Sequence, residues 1–215
     1  MAEITNGCQG GAHLAVRIEV LRSGEGPGPV VRGGMFTFGS GEDMVWLRVT
    51  YYVAERAIFS HEVQVQAGSV GMWVPMLEGL MAQTIETDTA YFGMESPELG
   101  LTVKRHDLRE WKSTPDEEGP DFSYDLLVLI DTAMGVEGGF VSSAGPAMFL
   151  YPQADDLLKF AHELRDEMLA VRAREGIQDD VSQWKLNDDP NWLEHFFEGF
   201  VCSRPAVNPP AASDA

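Results

Sequence analysis

Short runs in which apolar and polar residues alternate constrain the fold of this chain more than any other feature of its sequence. The clearest runs are HLAVRIEV (13–20), DMVWLRVTYYVAE (43–55) and HEVQVQAG (61–68). A period of two places apolar side chains on one face of a β-strand and leaves the other face to water. Because neighbouring runs look hairpin-linked, we expect an antiparallel sheet.

A short helix separates this first group of strands from a second group in the middle of the chain. The further strands are predicted at TAYFGMES (89–96), LGLTVKRH (99–106), FSYDLLVLID (122–131), which is the most strand-like run, EGGFVSSA (137–144) and AMFLY (147–151). The run SVGMWVPMLEGLMAQ (69–83) predicts the short helix. We expect this helix to begin near Pro75, since proline fits the first turn of a helix and breaks its interior.

Residues 153–174 predict the one long helix of the chain. At about 100° per residue, one stripe of the helix collects Leu157, Ala161, Leu164, Met168 and Val171. Acidic residues near the start, Asp155 and Asp156, and basic residues near the end, Arg172 and Arg174, complement the helix dipole. We therefore expect a helix with one buried face and one solvated face.

These elements predict an α+β fold, a mostly antiparallel sheet with one short helix and one long C-terminal helix packed on it. The order of strands closed by a helix occurs twice, without a shared motif. The domain boundaries we predict are a flexible N-terminus at 1–12, a single α+β domain at 13–175, an extension with a short aromatic helix at 176–202, and a disordered tail at 203–215.

The strong negative charge limits the classes of partner. The chain has 34 acidic and 15 basic side chains, and its formal net charge is -19. This balance argues against nucleic acid and against an anionic membrane, because both are bound through clustered Lys and Arg. A basic protein partner is compatible with it, since an acidic field speeds such an encounter. The alternative is that the charge only keeps the protein soluble.

The sequence also predicts where the protein resides. It contains no apolar run of the length that a signal peptide or a membrane span requires. The two cysteines, Cys8 and Cys202, lie near opposite ends of the chain, outside any metal-ligand spacing, and are typical of free thiols. We therefore expect a cytoplasmic protein.

The motif HELRDEM (162–168) is the strongest hint of a metal site, because His162 and Asp166 are four residues apart on the long helix. On the helical wheel, Asp166 lies almost opposite the apolar stripe, so the pair is expected to face solvent. The second histidine of an HExxH motif is absent. We expect an ordinary solvated helix face here.

The other histidines do not indicate catalysis. His106 beside Asp107 could form an acid–base pair, but only if folding brought a third group and a pocket to it. The run Gly39-Ser40-Gly41 lacks the nucleophile elbow of the hydrolases. The sequence therefore predicts no enzyme, no metal site and no cofactor, while a cleft that pairs two of the many carboxylates stays open as an alternative.

Two segments are candidates for binding a partner. The acidic segment 110–121 could present carboxylates to Arg and Lys, and its alternative is a solvated loop. The segment NWLEHFFEGF (191–200) repeats aromatic residues every four positions, which is typical of a docking or dimer helix or of a helix that packs on its own sheet. The candidate partner-binding residues are Asp116, Glu117, Glu118, Asp121, Trp192, Phe196, Phe197 and Phe200.

The central part of the chain resembles a known family. The runs that carry the resemblance are WLRVTYYV, MWVPMLEGLMAQ, YFGMESPELGLTVKR, LLVLIDTA and DLLKFAHELRDEM. They are similar to the WapI-type immunity proteins and to related small bacterial families, over about residues 44–170. The Gly/Pro-rich insert near 24–34 and the extension after 175 depart from that pattern. The resemblance implies a non-enzymatic cytosolic protein that neutralises a toxin, in that family a nuclease, and it carries over no binding residues.

The expected function is a non-enzymatic protein-binding domain, immunity- or inhibitor-like, whose acidic surface occludes a basic partner such as a nuclease toxin. One alternative is a structural or scaffold domain that forms homo-oligomers through the C-terminal aromatic segment. The other is an enzyme with a carboxylate cleft.

Overall fold

In the described part of the chain, eight strands form two antiparallel sheets. The structure is a computed structural model, and it describes residues 1–6, 13–24, 44–84, 88–92, 99–109, 112, 120–130 and 145–184. The first sheet contains β1 (Ala2–Thr5), β2 (Leu14–Ser23), β3 (Met44–Val53) and β4 (Arg56–Gln66). The second sheet contains β5 (Thr89–Phe92), β6 (Leu99–Asp107), β7 (Phe122–Ile130) and β8 (Ala147–Leu150). Within each sheet the strands follow chain order and every neighbouring pair is antiparallel.

A helix follows each sheet. The helix α1 (Ala67–Ala82) comes after the first sheet, and α2 (Ala154–Arg174) comes after the second. The helix α2 packs against β1 and β2, α1 packs against β5, and the two helices contact each other. Each half of the described fold therefore contains four strands and a helix, and each helix packs on the sheet of the other half. The predicted α+β class is confirmed, with two sheets in place of the single sheet expected.

One apolar core joins the inner faces of the sheets to the helices. The predicted stripe of α2 is buried at all five positions, which are Leu157, Ala161, Leu164, Met168 and Val171. Trp73 of α1 meets Phe160 of α2 edge to face, with ring centroids 5.8 Å apart. Because burial of a side chain such as Phe160 stabilises a fold by about 1.5–3 kcal/mol, the contact between the helices is a substantial part of the core energy.

The prediction that the short helix begins near Pro75 is wrong, because α1 begins at Ala67 and contains Pro75 in its interior. An interior proline removes one helical hydrogen bond and costs about 3 kcal/mol or more. Apolar side chains on both sides of it, including Trp73, Val74 and Leu77, are buried and offset that cost. Tertiary packing therefore overrides the local preference of proline.

The N-terminal residues also depart from the flexible segment that the sequence predicts. Ala2–Thr5 form β1 and pair with β2. Ala2 and Ile4 are buried beneath α2, with exposed fractions of 0% and 1%. Residues 7–12 lie outside the described residues. A four-residue strand is too short for its alternation to be recognised without a partner strand.

Tyr51 of β3 links the two sheets. Its hydroxyl lies 3.0 Å from the carbonyl oxygen of Val128 in β7 and 3.2 Å from that of Pro146, just before β8. The side chain is 2% exposed, and burial raises the pKa of the Tyr51 phenol. A buried hydroxyl must find a hydrogen-bond partner, so this contact fixes how the sheets meet.

The chain turns back after α2 and returns to α1. Gly176 makes the turn with a φ of 84°, a conformation that suits glycine. The guanidinium of Arg172 donates to both carboxylate oxygens of Asp179 at 2.9 and 2.7 Å, and Arg172 is buried while Asp179 is partly buried. A 3₁₀ turn (Val181–Gln183) then leads to Trp184, whose indole packs on Gly71 of α1. The first part of the predicted extension thus belongs to the folded unit.

Candidate functional site

Of the predicted acidic binding residues, Asp121 is the one that the structure describes. It is exposed, and its carboxylate forms an ion pair with Lys112, with the amine nitrogen 2.7 Å from the carboxylate oxygen. Its backbone carbonyl also accepts a hydrogen bond from Leu108 at 2.8 Å, which extends the pairing of β6 with β7. The two flanks of segment 113–119 are therefore held together. Asp116, Glu117 and Glu118 lie in that segment, outside the described residues.

The predicted aromatic binding residues cannot be placed on the fold. Trp192, Phe196, Phe197 and Phe200 lie beyond Trp184, outside the described residues. The aromatic docking segment therefore stays a prediction.

The outer face of the first sheet carries a row of paired charges. Arg17 donates two hydrogen bonds to Glu3, at 2.8 and 2.5 Å. Arg48 lies between two carboxylates, 3.1 Å from Glu19 and 2.8 Å from Glu62. The hydrogen bonds that Arg17 donates to Glu3 and Arg48 donates to Glu62 raise the pKa of the two guanidinium groups. Three carboxylates pair with two arginines at these positions, so this row is close to charge balance.

Two arginines on the same face lie over aromatic rings. The Arg17 guanidinium is 4.9 Å from the ring centroid of Tyr52, and Arg22 is 5.0 Å from that of Trp46. Arg17 also donates to the Tyr52 hydroxyl at 3.2 Å. Stacked and ion-paired guanidinium groups are held in place, so they are poor candidates for reaching phosphates on a nucleic acid.

His106 and Asp107, which the sequence suggested as a pair, have different partners in the second sheet. His106 lies 2.6 Å from Asp125 on β7, where each side chain is partly exposed. Asp107 instead accepts hydrogen bonds from the Arg109 side chain at 2.9 and 3.1 Å, and from its backbone N–H at 2.9 Å. These bonds lower the pKa of Asp107 to about 2. The arrangement fits a satisfied surface histidine and a carboxylate that stays ionised.

The side chains of the HELRDEM stretch form hydrogen bonds and ion pairs with one another and with α1. His162 lies 3.2 Å from Glu78 of α1, and Arg165 lies 3.0 Å from the other ring nitrogen of His162. Arg165 also pairs with Asp166 at 3.1 Å. Asp166 is exposed as expected, whereas His162 is partly exposed and lies at the contact between the two helices. Among the described residues, no group of three or more His, Cys, Asp or Glu side chains is placed to hold a metal ion.

The excess negative charge is distributed unevenly along the chain. The described residues contain 17 of the 34 acidic and 12 of the 15 basic side chains. The other segments contain the remaining 17 acidic side chains and 3 basic ones. Eight basic side chains of the described fold form ion pairs with carboxylates, namely Arg17, Arg48, Arg105, Arg109, Lys112, Lys159, Arg165 and Arg172. The sheets and helices are thus close to charge balance, and the connecting segments and the C-terminal segment carry most of the excess.

Sequence reasoning missed two features with a clear chemical role. The ion pair between the buried Arg172 and Asp179 gave no signal beyond a basic residue at the end of a helix. The aromatic–arginine stacks on the first sheet join residues about 24 to 35 positions apart, and only the strand register brings them together. The alternation of Trp46, Arg48, Thr50 and Tyr52 along β3 could have indicated that they share a face.

Comparison with known proteins gives no family for this chain. No family model matches the sequence, and no curated protein matches it. Among solved structures, the chain is similar to one titled "Structure of the plant transcriptional regulator PBF-2", at 14% identity and a TM-score of 0.32, over 91% of this chain and 94% of that chain. In the described part of the chain, neither helix has the length and apolar character needed to cross a membrane.

Proposed function

We propose that this chain is a non-enzymatic, cytoplasmic protein-binding domain, immunity- or inhibitor-like, that presents acidic groups to a basic protein such as a nuclease toxin. The observation that carries the proposal is the uneven distribution of charge. Outside the described residues there are 17 acidic side chains and 3 basic ones. Ion pairs within the fold already engage most of the basic side chains, so those segments have few internal cations to neutralise them.

The physical basis of the proposed binding is electrostatic complementarity. A carboxylate that is not paired within its own protein keeps its attraction for Arg and Lys on a partner, and charge-assisted hydrogen bonds to guanidinium groups are the stronger ones. A protein surface that binds phosphate is itself basic, so an acidic inhibitor can cover it. The charge also favours fast encounter with such a partner and disfavours nucleic acid itself.

The ion pair of Lys112 with Asp121 supports the acidic segment as the first region to test. Its 2.7 Å contact holds the two flanks of 113–119 together. The three carboxylates at 116–118 lie between these two residues in the sequence.

The experiment is capture of host proteins on the immobilised full chain, with elution in steps of rising salt and identification by mass spectrometry. We expect a stoichiometric basic protein to elute at moderate salt. The test variant combines Asp116→Asn, Glu117→Gln and Glu118→Gln. The matched control makes the same change in net charge at exposed positions elsewhere, Glu55→Gln, Asp155→Asn and Asp156→Asn.

Loss of capture by the test variant, with capture retained by the control, would support both the function and the segment. Equal weakening of both would support an acidic surface that is spread over the molecule. If no basic protein is captured from cells that express the candidate toxin, or if capture is indifferent to salt, the proposal fails.

A further inference from the structure

The outer face of the second sheet carries a cluster of apolar side chains. Along β7 and β8 these side chains alternate with the buried ones, because successive residues of a strand point to opposite faces. The strand register places Leu127 opposite Phe149, and it places Leu129 opposite Ala147. Tyr151 continues the cluster, since its ring meets that of Phe149 edge to face at a centroid distance of 5.1 Å. The apolar face consists of Leu127, Leu129, Ala147, Phe149 and Tyr151.

The aromatic residues of the apolar face are open to solvent. Phe149 is 42% exposed and Tyr151 is 49% exposed, while Leu127 and Leu129 are half-buried. Exposed apolar side chains that lie together mark a binding site, whereas single ones are ordinary. Aromatic residues are also the usual anchors at the centre of a protein interface. The apolar face therefore has the composition of an interface centre.

The segments that join the strands of the second sheet are acidic. They contain eight acidic side chains and one basic one, Lys112, which pairs with Asp121. Two of the acidic side chains lie in residues 93–98, four in 110–119 and two in 131–144. These segments therefore account for nearly half of the 17 acidic side chains that lie outside the described residues.

The acidic segments start from both ends of the second sheet. Leu99 pairs with Ile130, so residues 93–98 and 131–144 adjoin the same end of this sheet in the sequence. Asp107 pairs with Phe122 at the opposite end, and residues 110–119 lie between those two strands. The apolar face belongs to the strands between these ends.

The described charges on the outer face are close to balance. Lys104 lies opposite Asp125 in the register, and His106 lies 2.6 Å from Asp125. These residues precede the apolar face on the side of Phe122. The excess negative charge of this half of the chain therefore belongs to the connecting segments and not to the strands.

We infer that the apolar face is the centre of the docking surface for the basic partner, which places an apolar side chain against Phe149 and Tyr151 and has Lys and Arg on both sides of it. The inference rests on the proposed function and adds a place on the fold. A second copy of this chain does not fit, because two such faces would bring their acidic segments together and repel. A basic protein gains attraction at both ends and buries aromatic surface between them.

The first test measures the affinity of the basic protein recovered in the capture experiment, by isothermal titration with the full chain. The test variant combines Phe149→Ala and Tyr151→Ala. The matched control combines Ile58→Ala and Val181→Ala, at apolar residues that are 60% and 51% exposed on other elements. We expect the test variant to raise the dissociation constant by at least about tenfold and the control to leave it unchanged.

The outcomes separate this inference from the proposed function. If the captured protein binds wild type and both variants equally, the apolar face is not the docking surface, while the proposed function stands. If no basic protein is captured, both fail. A dimer of the chain in sedimentation velocity that the test variant dissociates would assign the face to a second copy and overturn the inference. Equal urea midpoints of the two variants show that the fold is intact, and Tyr151→Ala alone replaces the test variant if Phe149→Ala destabilises it.

The second test asks whether basic groups of the partner surround the apolar face. Phe149→Lys and Phe149→Asp both remove the ring, but the lysine adds repulsion toward a basic partner and the aspartate adds attraction. At about 0.05 M salt we expect Phe149→Lys to bind the captured protein at least about threefold more weakly than Phe149→Asp, and at about 0.5 M salt we expect the difference to shrink. Equal affinities of the two variants at low salt overturn the inference.

Discussion

The indole ring of Trp184 occupies the space that a side chain at residue 71 would need. A Cβ atom on Gly71 would lie 2.2 Å from Cδ2 of Trp184 and within 2.6 Å of two further ring atoms. Atoms cannot approach so closely, so the segment after α2 reaches α1 only because residue 71 is glycine. Trp184, which packs on α1 through this contact, immediately precedes the acidic and aromatic C-terminal segment in the sequence.

Replacing Gly71 by alanine should therefore destabilise the protein. Although Gly→Ala in a helix favours folding by up to about 1 kcal/mol, displacement of Trp184 should cost about 1–3 kcal/mol. Gly68→Ala is the matched control on the same helix, because its Cβ would meet no atom within 4 Å. Urea unfolding should show a lower midpoint for Gly71→Ala alone. Equal midpoints for the two variants would mean that Trp184 does not pack there.

Removing the Tyr51 hydroxyl should loosen the link between the sheets. Tyr51→Phe leaves the carbonyl oxygens of Val128 and Pro146 without that donor, and we expect a loss of about 1–3 kcal/mol in unfolding free energy. Tyr52→Phe on the outer face removes a partly exposed contact with Arg17 and should cost less. Thermal unfolding of both variants compares them directly, and a larger cost for Tyr52→Phe would contradict the account.

Asp107 should remain ionised in acid. Its hydrogen bonds from Arg109 lower its pKa from 3.8 to about 2 in the folded protein. A carboxyl with a depressed folded pKa adds stability above its unfolded pKa, and that stability is lost as pH falls through the folded pKa, here between about 4 and about 2. NMR titration of the carboxyl should give the low value in wild type and a value closer to 3.8 in Arg109→Ala. An unchanged pKa in that variant would assign the shift to another cause.

Substitutions in the turn between β3 and β4 should stabilise the folded protein. The two turn residues, Ala54 and Glu55, have φ values of 48° and 65°. A two-residue turn of this kind favours Asn-Gly, because other side chains are strained at positive φ. Ala54→Asn with Glu55→Gly should raise the unfolding free energy by about 1–2 kcal/mol. Gly176→Ala, at a φ of 84° with open space around its Cβ, should lower it, and shifts of the same sign would contradict this reading.

The sequence predicted those elements whose pattern is long and regular. The stripe of α2 from Leu157 to Val171 spans four turns, and the helix lies within one residue of the expected bounds. Paired strands such as β3 and β4 were recognisable because polar side chains alternate with apolar ones along each strand. The helix α1 was misplaced because it is apolar around most of its surface, so periodicity could not outweigh the signal of Pro75.

The contacts that set the site could not be predicted, because they join residues far apart in the chain. His106 was considered with its neighbour Asp107, yet the strand register brings it to Asp125. Whether His162 faced water or another helix depended on where Glu78 of α1 would lie. The charge excess was visible in the sequence, but its separation from the ion-paired sheets and helices required the structure.

The central claim is that the acidic groups of this chain bind a basic protein. The most direct measurement is isothermal titration of the full chain with the captured partner at about 0.05 M and at about 0.5 M salt, since screening at the higher value leaves little long-range attraction. The account predicts a dissociation constant at least about tenfold larger at high salt, and a smaller dependence after neutralisation of Asp116, Glu117 and Glu118. An affinity that is the same at both salt concentrations would contradict it.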